Sequence, residues 1–188
     1  MPHLDDILLE TLVSDDQIQA RVSELGAEIS RDYAGKDLLL LCILRGGVVF
    51  LADLMRHIDT PHAIDFMAIS SSGAGARTSS GNVRISLDLQ QNIENRHVLV
   101  VDDIVDTGHT LAAVIELLAT RRPASLKICT LLDKSERREV EVPIHYVGFD
   151  IPNKYVFGYG LDVDELYRNL PFIGVAKPDV YLKPSADE

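Results

Sequence analysis

At 188 residues the chain has room for one domain with a full core, and not for two comfortable ones. With 46% hydrophobic and 25% charged residues it has the balance of a soluble globular protein, and no apolar run approaches a membrane span. A formal net charge of -11 disfavours non-specific binding to nucleic acid or anionic membranes, so anionic ligands would be met through metal ions.

The start, MPHLDDILLE, lacks the basic opening and small-residue cleavage site of a signal peptide, which points to the cytoplasm. Ser14-Asp15-Asp16-Gln17 has capping-box form, and Ile18, Val22, Leu25 and Ile29 follow at helical spacing. That predicts a helix over 15–33, ended near Gly35. Leu38 to Leu44 is a continuous apolar run, read as a strand buried on both faces. Gly46-Gly47 breaks it, and helical spacing returns over 48–58. A second strand is expected over 63–70. Residues 70–82, SSSGAGARTSSGN, are rich in Ser and Gly with almost nothing to bury; a loop of that length is disorder or a working lid.

A third strand is expected over 98–101, a helix over 110–120, and further strands over 126–132 and 144–149. Cys42 and Cys129 sit inside apolar runs and read as reduced core thiols. Strands alternating with helices predict an α/β fold, with a mostly parallel central sheet flanked by helices. Ligands in such sheets bind beyond the carboxyl ends of the strands.

That rule singles out VLVVDDIVDTGHTL, Val98 to Leu111. Asp102, Asp103 and Asp106 follow an apolar strand, and Thr107-Gly108-His109-Thr110 open a helix. Exposed N–H groups and a positive dipole end make such a turn a phosphate cradle. One aspartate there would be a solvated cap as often as not; three followed by Thr-Gly-His-Thr are not explained that way. The Leu44-Arg45-Gly46-Gly47 turn offers bare N–H groups and a permanently charged guanidinium.

These stretches resemble motifs of the type I phosphoribosyltransferases. VLVVDDIVDTGHTL is similar to the phosphoribosyl-diphosphate motif. ILRGG, residues 43–47, is similar to the pyrophosphate loop. NKYVFGYGLDVDELYRNLPFIG, residues 153–174, is similar to the purine-binding segment of the hypoxanthine–guanine branch. The resemblance spans roughly residues 38 to 175. It implies a single domain over 1–188, with a lid over about 70–83, a base-binding hood segment over about 150–175 and a small hood formed by the terminal segments. It also implies Mg²⁺-dependent transfer of 5-phosphoribosyl from 5-phosphoribosyl 1-diphosphate to hypoxanthine or guanine, with release of pyrophosphate.

Site roles follow from the resemblance residue by residue. Asp102 and Asp103 hold the ribose diol and Mg²⁺, and residues 106–110 hold the 5'-phosphate. Asp106 lies near purine N7 as general base or acid. Leu44, Arg45, Gly46, Gly47 and Arg168 meet pyrophosphate, with a cis peptide at Leu44-Arg45. Lys154 donates to the 6-oxo group and Tyr155 stacks on the ring. Backbone around Val156 and Asp162 reads N1 and the exocyclic edge, and Asp162 binds a second Mg²⁺. Lys134, in LLDKSERR, contacts the 6-oxo region or supports the phosphate loop. A homo-oligomer, dimer or tetramer, is implied.

Two departures stand out. The first acid of the motif is most often glutamate and here is Asp102. The lid pair is typically Ser-Tyr and here is Ser71-Ser72, with Arg77 as a further cation in the loop. Two competing readings remain. One is an RNA-binding regulator on the same fold, which needs a basic face; the charge is strongly acidic, and the basic cluster Lys134, Arg137 and Arg138 is small. The other is the same chemistry on xanthine or adenine, and Lys154 argues against adenine, whose 6-amino group cannot accept its hydrogen bond.

Overall fold

The computed structural model describes residues 3–71 and 83–181. Ser72, Arg77 and most of the expected lid lie outside them. The described chain builds two sheets.

The larger sheet is six-stranded, in the order β4 (Val83–Leu87), β3 (His62–Ser71), β2 (Leu38–Leu44), β5 (His97–Val105), β6 (Ser125–Asp133), β7 (Tyr146–Asp150). All neighbours run parallel except the β3–β4 pair. Its faces are covered by α2 (Asp15–Asp32), α3 (Gly47–Leu54) and α4 (His109–Ala119). The expected α/β class holds.

The core shows why β2 is apolar throughout. Leu38, Leu40 and Cys42 pack with Ile18, Val22, Leu25 and Ile29 of α2 and with Phe50 and Leu54 of α3. Leu39, Leu41 and Ile43 turn the other way, onto Leu111, Val114 and Leu118 of α4. The four α2 residues are all 0% exposed, each worth about 1.5–3 kcal/mol of burial. The Ser14 hydroxyl accepts from Gln17 N–H at 3.3 Å, and Gln17 Oε1 accepts from Ser14 N–H at 2.9 Å, so the capping box forms as read. Both cysteines are buried thiols; burial pushes Cys42 up to about 12.

Three expected boundaries move. The helix expected over 48–58 is α3 followed by a 3₁₀ turn, Met55–His57. The strand expected over 144–149 begins at Tyr146. The third strand does not stop at 101: β5 runs to Val105, because β6 pairs with it as far as Val105↔Asp133. Asp102 and Asp103 therefore belong to the strand rather than to the loop after it.

The smaller sheet is three-stranded: β1 (Leu8–Val13), β9 (Ile173–Ala176), β8 (Val156–Phe157). With α1 (Leu4–Ile7) and α5 (Pro178–Tyr181) it forms the hood expected from the terminal segments. β8 and β9, with two and four residues, are too short to show periodicity.

Candidate active site

The parallel sheet has its switch point between β2 and β5, since the chain winds outward from them in opposite directions. The β2–β5 ladder ends at Cys42↔Val101, while β2 follows β3 to Leu44↔Ala68 and β5 follows β6 to Val105↔Asp133. The sheet thus splits open at Asp102, in the crevice where open α/β sheets take ligands.

On the β2 side, Leu44-Arg45 is a cis peptide, as the resemblance implied. Gly46 and Gly47 then start α3 under tight constraint. A Cβ on Gly46 would overlap the Asp103 carboxylate; one on Gly47 would meet Cys42 Sγ at 3.2 Å and Val101 O at 3.3 Å. The glycines let the turn press directly on the end of β5.

On the β5 side stand the two adjacent acids. Asp102 Oδ1 accepts from Asp103 N–H at 3.1 Å, and Asp103 Oδ1 accepts from Ile104 N–H at 3.0 Å. Burial pushes the Asp102 carboxyl well above the usual range, and the neighbouring Asp103 charge adds to it. Burial also raises Asp103, with Arg168 acting against it. A buried carboxylate beside a half-buried one, lacking a full counter-charge, forms a site that favours an incoming cation or hydroxyl donors. Among the described residues there is no ready cage of three or more His, Cys, Asp or Glu. The oxygens of Asp102 and Asp103 are of the donor type that a hard divalent ion takes, one or two carboxylates completed by ligand oxygens and water.

Past β5, Gly108 caps α4 with φ 91, in the left-handed region. The loop after β6 wraps this turn. Thr107 O accepts from Glu139 N–H and Val140 N–H, each at 3.0 Å. Arg138 Nη1 donates to Asp106 O at 3.0 Å, and its other nitrogen pairs with Asp133. His109 Nε2 lies 3.0 Å from Glu139 Oε2. Thr107 and Thr110 sit in the turn and first helical positions, half-buried.

Asp106 faces two cations. Lys134 Nζ is 3.7 Å from its Oδ2, and Arg137 Nε is 3.0 Å from its Oδ1. Asp106 Oδ1 is buried and accepts no hydrogen bond among the described residues. The Lys134 side chain is only 9% exposed, and burial lowers its pKa below the ordinary lysine value, although Asp106 opposes the shift.

Lys154 is placed differently. Its ammonium pairs with Glu10 of β1, and both side chains are well exposed, at 40% and 48%. Lys134, and not Lys154, is therefore the ammonium beside Asp106. Tyr155 stacks on Tyr181 of α5, with centroids 4.9 Å apart and planes 9° from parallel. Val156 is buried in β8 against Val175.

The hood reaches the crevice through residues 158–168. Gly160 has φ 102, and a Cβ there would overlap Gly46 O, so hood and turn meet backbone to backbone. Tyr159 Oη donates to Asp53 Oδ2 at 2.6 Å, tying this loop to α3. Arg168 Nη1 donates to Gly160 O at 2.7 Å, and Nη2 lies 2.7 Å from Asp162 Oδ1. Asp162 Oδ2 accepts from Glu165 N–H at 2.8 Å. Arg45 joins the same group through Glu165, Nη2 to Oε1 at 2.7 Å. The expected pyrophosphate residues Leu44 to Gly47 and Arg168 thus converge with Asp102, Asp103 and Asp162. Ser71 ends β3, and Ser72 lies outside the described residues.

Three groups escaped the sequence reading: the Arg138 clamp, the Tyr159–Asp53 tie and Glu165. The run Glu136-Arg137-Arg138-Glu139 directly after Lys134 was the available signal for the first.

A split parallel sheet with an acid pair, a helix-start anion cradle and a Gly-Gly turn defines a class of proteins that bind a sugar bearing phosphates. The comparisons make this specific. Residues 10–165 match the model of the phosphoribosyl transferase domain, and the chain belongs to that family. It is 49% identical over 178 residues to the hypoxanthine-guanine phosphoribosyltransferase of Streptococcus pneumoniae, covering 95% of this chain and 98% of that one. A crystal structure of a hypoxanthine phosphoribosyltransferase from Staphylococcus aureus superposes with a TM-score of 0.90 at 48% identity, covering 94% and 95% of the two chains. A hypoxanthine-guanine phosphoribosyltransferase from Bacillus anthracis gives 0.84 at 42% identity, covering 90% of this chain and 98% of that one.

Proposed function

We propose that this chain transfers 5-phosphoribosyl from 5-phosphoribosyl 1-diphosphate to hypoxanthine and guanine, giving the nucleoside monophosphates and pyrophosphate. This is a purine-salvage reaction. The observation that carries the residue-level reading is the Asp106–Lys134 pair, 3.7 Å apart at the mouth of the anion cradle. N7 and the 6-oxo oxygen are neighbours on one edge of a purine. A carboxylate beside an ammonium complements a 7-H,6-oxo edge: the carboxylate accepts from N7–H and the ammonium donates to the oxygen.

In this reading N9 attacks C1' as the bond from C1' to the pyrophosphate oxygen breaks. The N7 proton passes to Asp106, which relieves the positive charge arriving on the ring. Asp102 and Asp103 hold the ribose hydroxyls and favour the positive charge that develops at C1'. Thr107 to Thr110 hold the 5'-phosphate. Leu44 to Gly47 and Arg168 hold the departing pyrophosphate. Tyr155 stacks on the base, with Val156 and Asp162 at its N1 edge. Asp102 and Asp103 would hold one Mg²⁺ and Asp162 a second, and such ions would neutralise charge on the leaving group. The 6-oxo contact is thereby assigned to Lys134, and Lys154 braces β1 through Glu10.

No helix among the described residues is long and apolar enough to cross a membrane. A cytoplasmic homo-oligomer is proposed on the family resemblance. Against the RNA-binding alternative stand the net charge of -11 and the pairing of that small cluster, with Lys134 and Arg137 facing Asp106 and Arg138 paired with Asp133. The test is initial rates with the donor and Mg²⁺ on hypoxanthine, guanine, xanthine and adenine. Monophosphate formed with equal pyrophosphate from the first two supports the reading. Turnover of adenine alone, or of none, overturns it.

A further inference from the structure

Glu165 lies outside every role assigned above, yet its carboxylate bridges the two arginines expected to hold pyrophosphate. Oε1 is 2.7 Å from Arg45 Nη2 and Oε2 is 3.3 Å from Arg168 Nη2. The two arginines approach from different parts of the fold, one from the turn after β2 and the other from the hood loop.

The backbone aims Glu165 at this position. Val163 and Leu166 exchange hydrogen bonds at 3.1 and 3.0 Å, leaving Asp164 and Glu165 as a two-residue tip. Both tip residues are left-handed, with φ 48 and 68, a conformation that L residues adopt at a cost. Asp162 Oδ2 accepts the Glu165 N–H at 2.8 Å and fixes the tip from behind. A solvated glutamate has no need of that support.

From this geometry we infer that Glu165 sets anion affinity at the pyrophosphate subsite, its carboxylate competing with pyrophosphate for Arg45 and Arg168. The inference rests on the proposed reading of that subsite. The competitor suits a displaceable role. Glu165 is 59% exposed and Arg45 is 68% exposed, so the pair is well hydrated and weak. A monovalent carboxylate yields to a polyanion, which gains more from two guanidinium groups than one side chain does. Without pyrophosphate, Glu165 keeps the two arginines together and, with Asp162 on Arg168, offsets their charge. After transfer it competes with the product, which raises the dissociation rate of pyrophosphate.

The test measures the dissociation constant of inorganic pyrophosphate with Mg²⁺, by calorimetry, on four forms of the full chain. These are wild type, Glu165→Gln, Arg45→Gln and the double variant, with thermal unfolding confirming that each is folded. Exposed ion pairs are weak individually, so removing both should tighten pyrophosphate by about 3- to 10-fold. Arg45→Gln should weaken it, and the gain from Glu165→Gln should shrink in the Arg45→Gln background. If Arg45→Gln weakens binding while Glu165→Gln leaves it unchanged or weaker, the subsite reading stands and the competition is refuted. An equal gain in both backgrounds would show only a general charge effect and would refute it as well. If Arg45→Gln has no effect, the placement of pyrophosphate is wrong and the inference falls with it.

Discussion

Replacing Lys134 by Met keeps the length of the side chain and removes its charge. The Lys134 side chain is 9% exposed, and its ammonium lies 3.7 Å from Asp106. A hydrogen bond from a charged, buried donor is worth roughly 1.5–3 kcal/mol, so kcat/KM for hypoxanthine should fall by roughly 10- to 10²-fold. Stability should move the other way or not at all, because the lowered pKa of Lys134 shows that the fold holds this charge at a cost. Lys154→Met removes an exposed pair with Glu10, worth at most about 1 kcal/mol, so its effect should stay within about 5-fold. Adenine carries an amino donor where the oxopurines carry an acceptor, so it should be close to undetectable with the wild type. Lys134→Met should narrow the gap between hypoxanthine and adenine. The assay is initial-rate kcat/KM for both bases in the three forms, with thermal melts alongside. A larger loss in Lys154→Met than in Lys134→Met would return the 6-oxo contact to the hood and refute the assignment.

Three further outcomes are expected. Asp106→Asn keeps the shape of the cradle and removes the proton acceptor, so turnover should drop by about 10²–10⁴-fold with donor affinity little changed; near-native turnover would move the base elsewhere. Lys134 must stay protonated for its bond to the 6-oxo group to be charge-assisted, so kcat/KM should fall as pH rises through its lowered pKa. That limb should move to higher pH in Lys134→Arg, and a limb identical in both forms belongs to the substrate. Gly46→Ala and Gly160→Ala should each destabilise by about 1–3 kcal/mol in thermal or urea unfolding. Gly160→Ala should be the worse of the two, because its Cβ meets backbone at φ 102 whereas the first meets a side-chain carboxylate; the opposite order would contradict the backbone-to-backbone contact of hood and turn.

The parts of this molecule that were legible in sequence are those where physical chemistry repeats along the chain. Ile18, Val22, Leu25 and Ile29 fall on one helical face, and Leu38 to Leu44 is apolar because both of its faces are covered. The acid stretch was legible because three carboxylates before Thr-Gly-His-Thr have no ordinary structural excuse. The small hood sheet was visible only through resemblance: β8 has two residues and β9 four, too few to show alternation. Asp102 and Asp103 were placed after their strand because polarity was taken as its end. The pairing of β5 with β6 outlasts the apolar run, and this depends on a neighbour whose register cannot be read locally. Contacts across the fold were the least legible. Arg45 and Glu165 are 120 positions apart, and Lys154 and Glu10 are 144 apart. From sequence alone, Lys134 and Lys154 could be told apart only by motif. Burial separates them, and burial is a property of the whole fold.

The most direct measurement is a crystal structure with inosine monophosphate, pyrophosphate and Mg²⁺ bound. The account predicts O6 on Lys134 Nζ, N7 facing Asp106, the 5'-phosphate on the N–H groups of Thr107 to Thr110 and pyrophosphate against Arg45 to Gly47. A purine whose 6-oxo group faces Lys154, or a 5'-phosphate bound away from that turn, would contradict it.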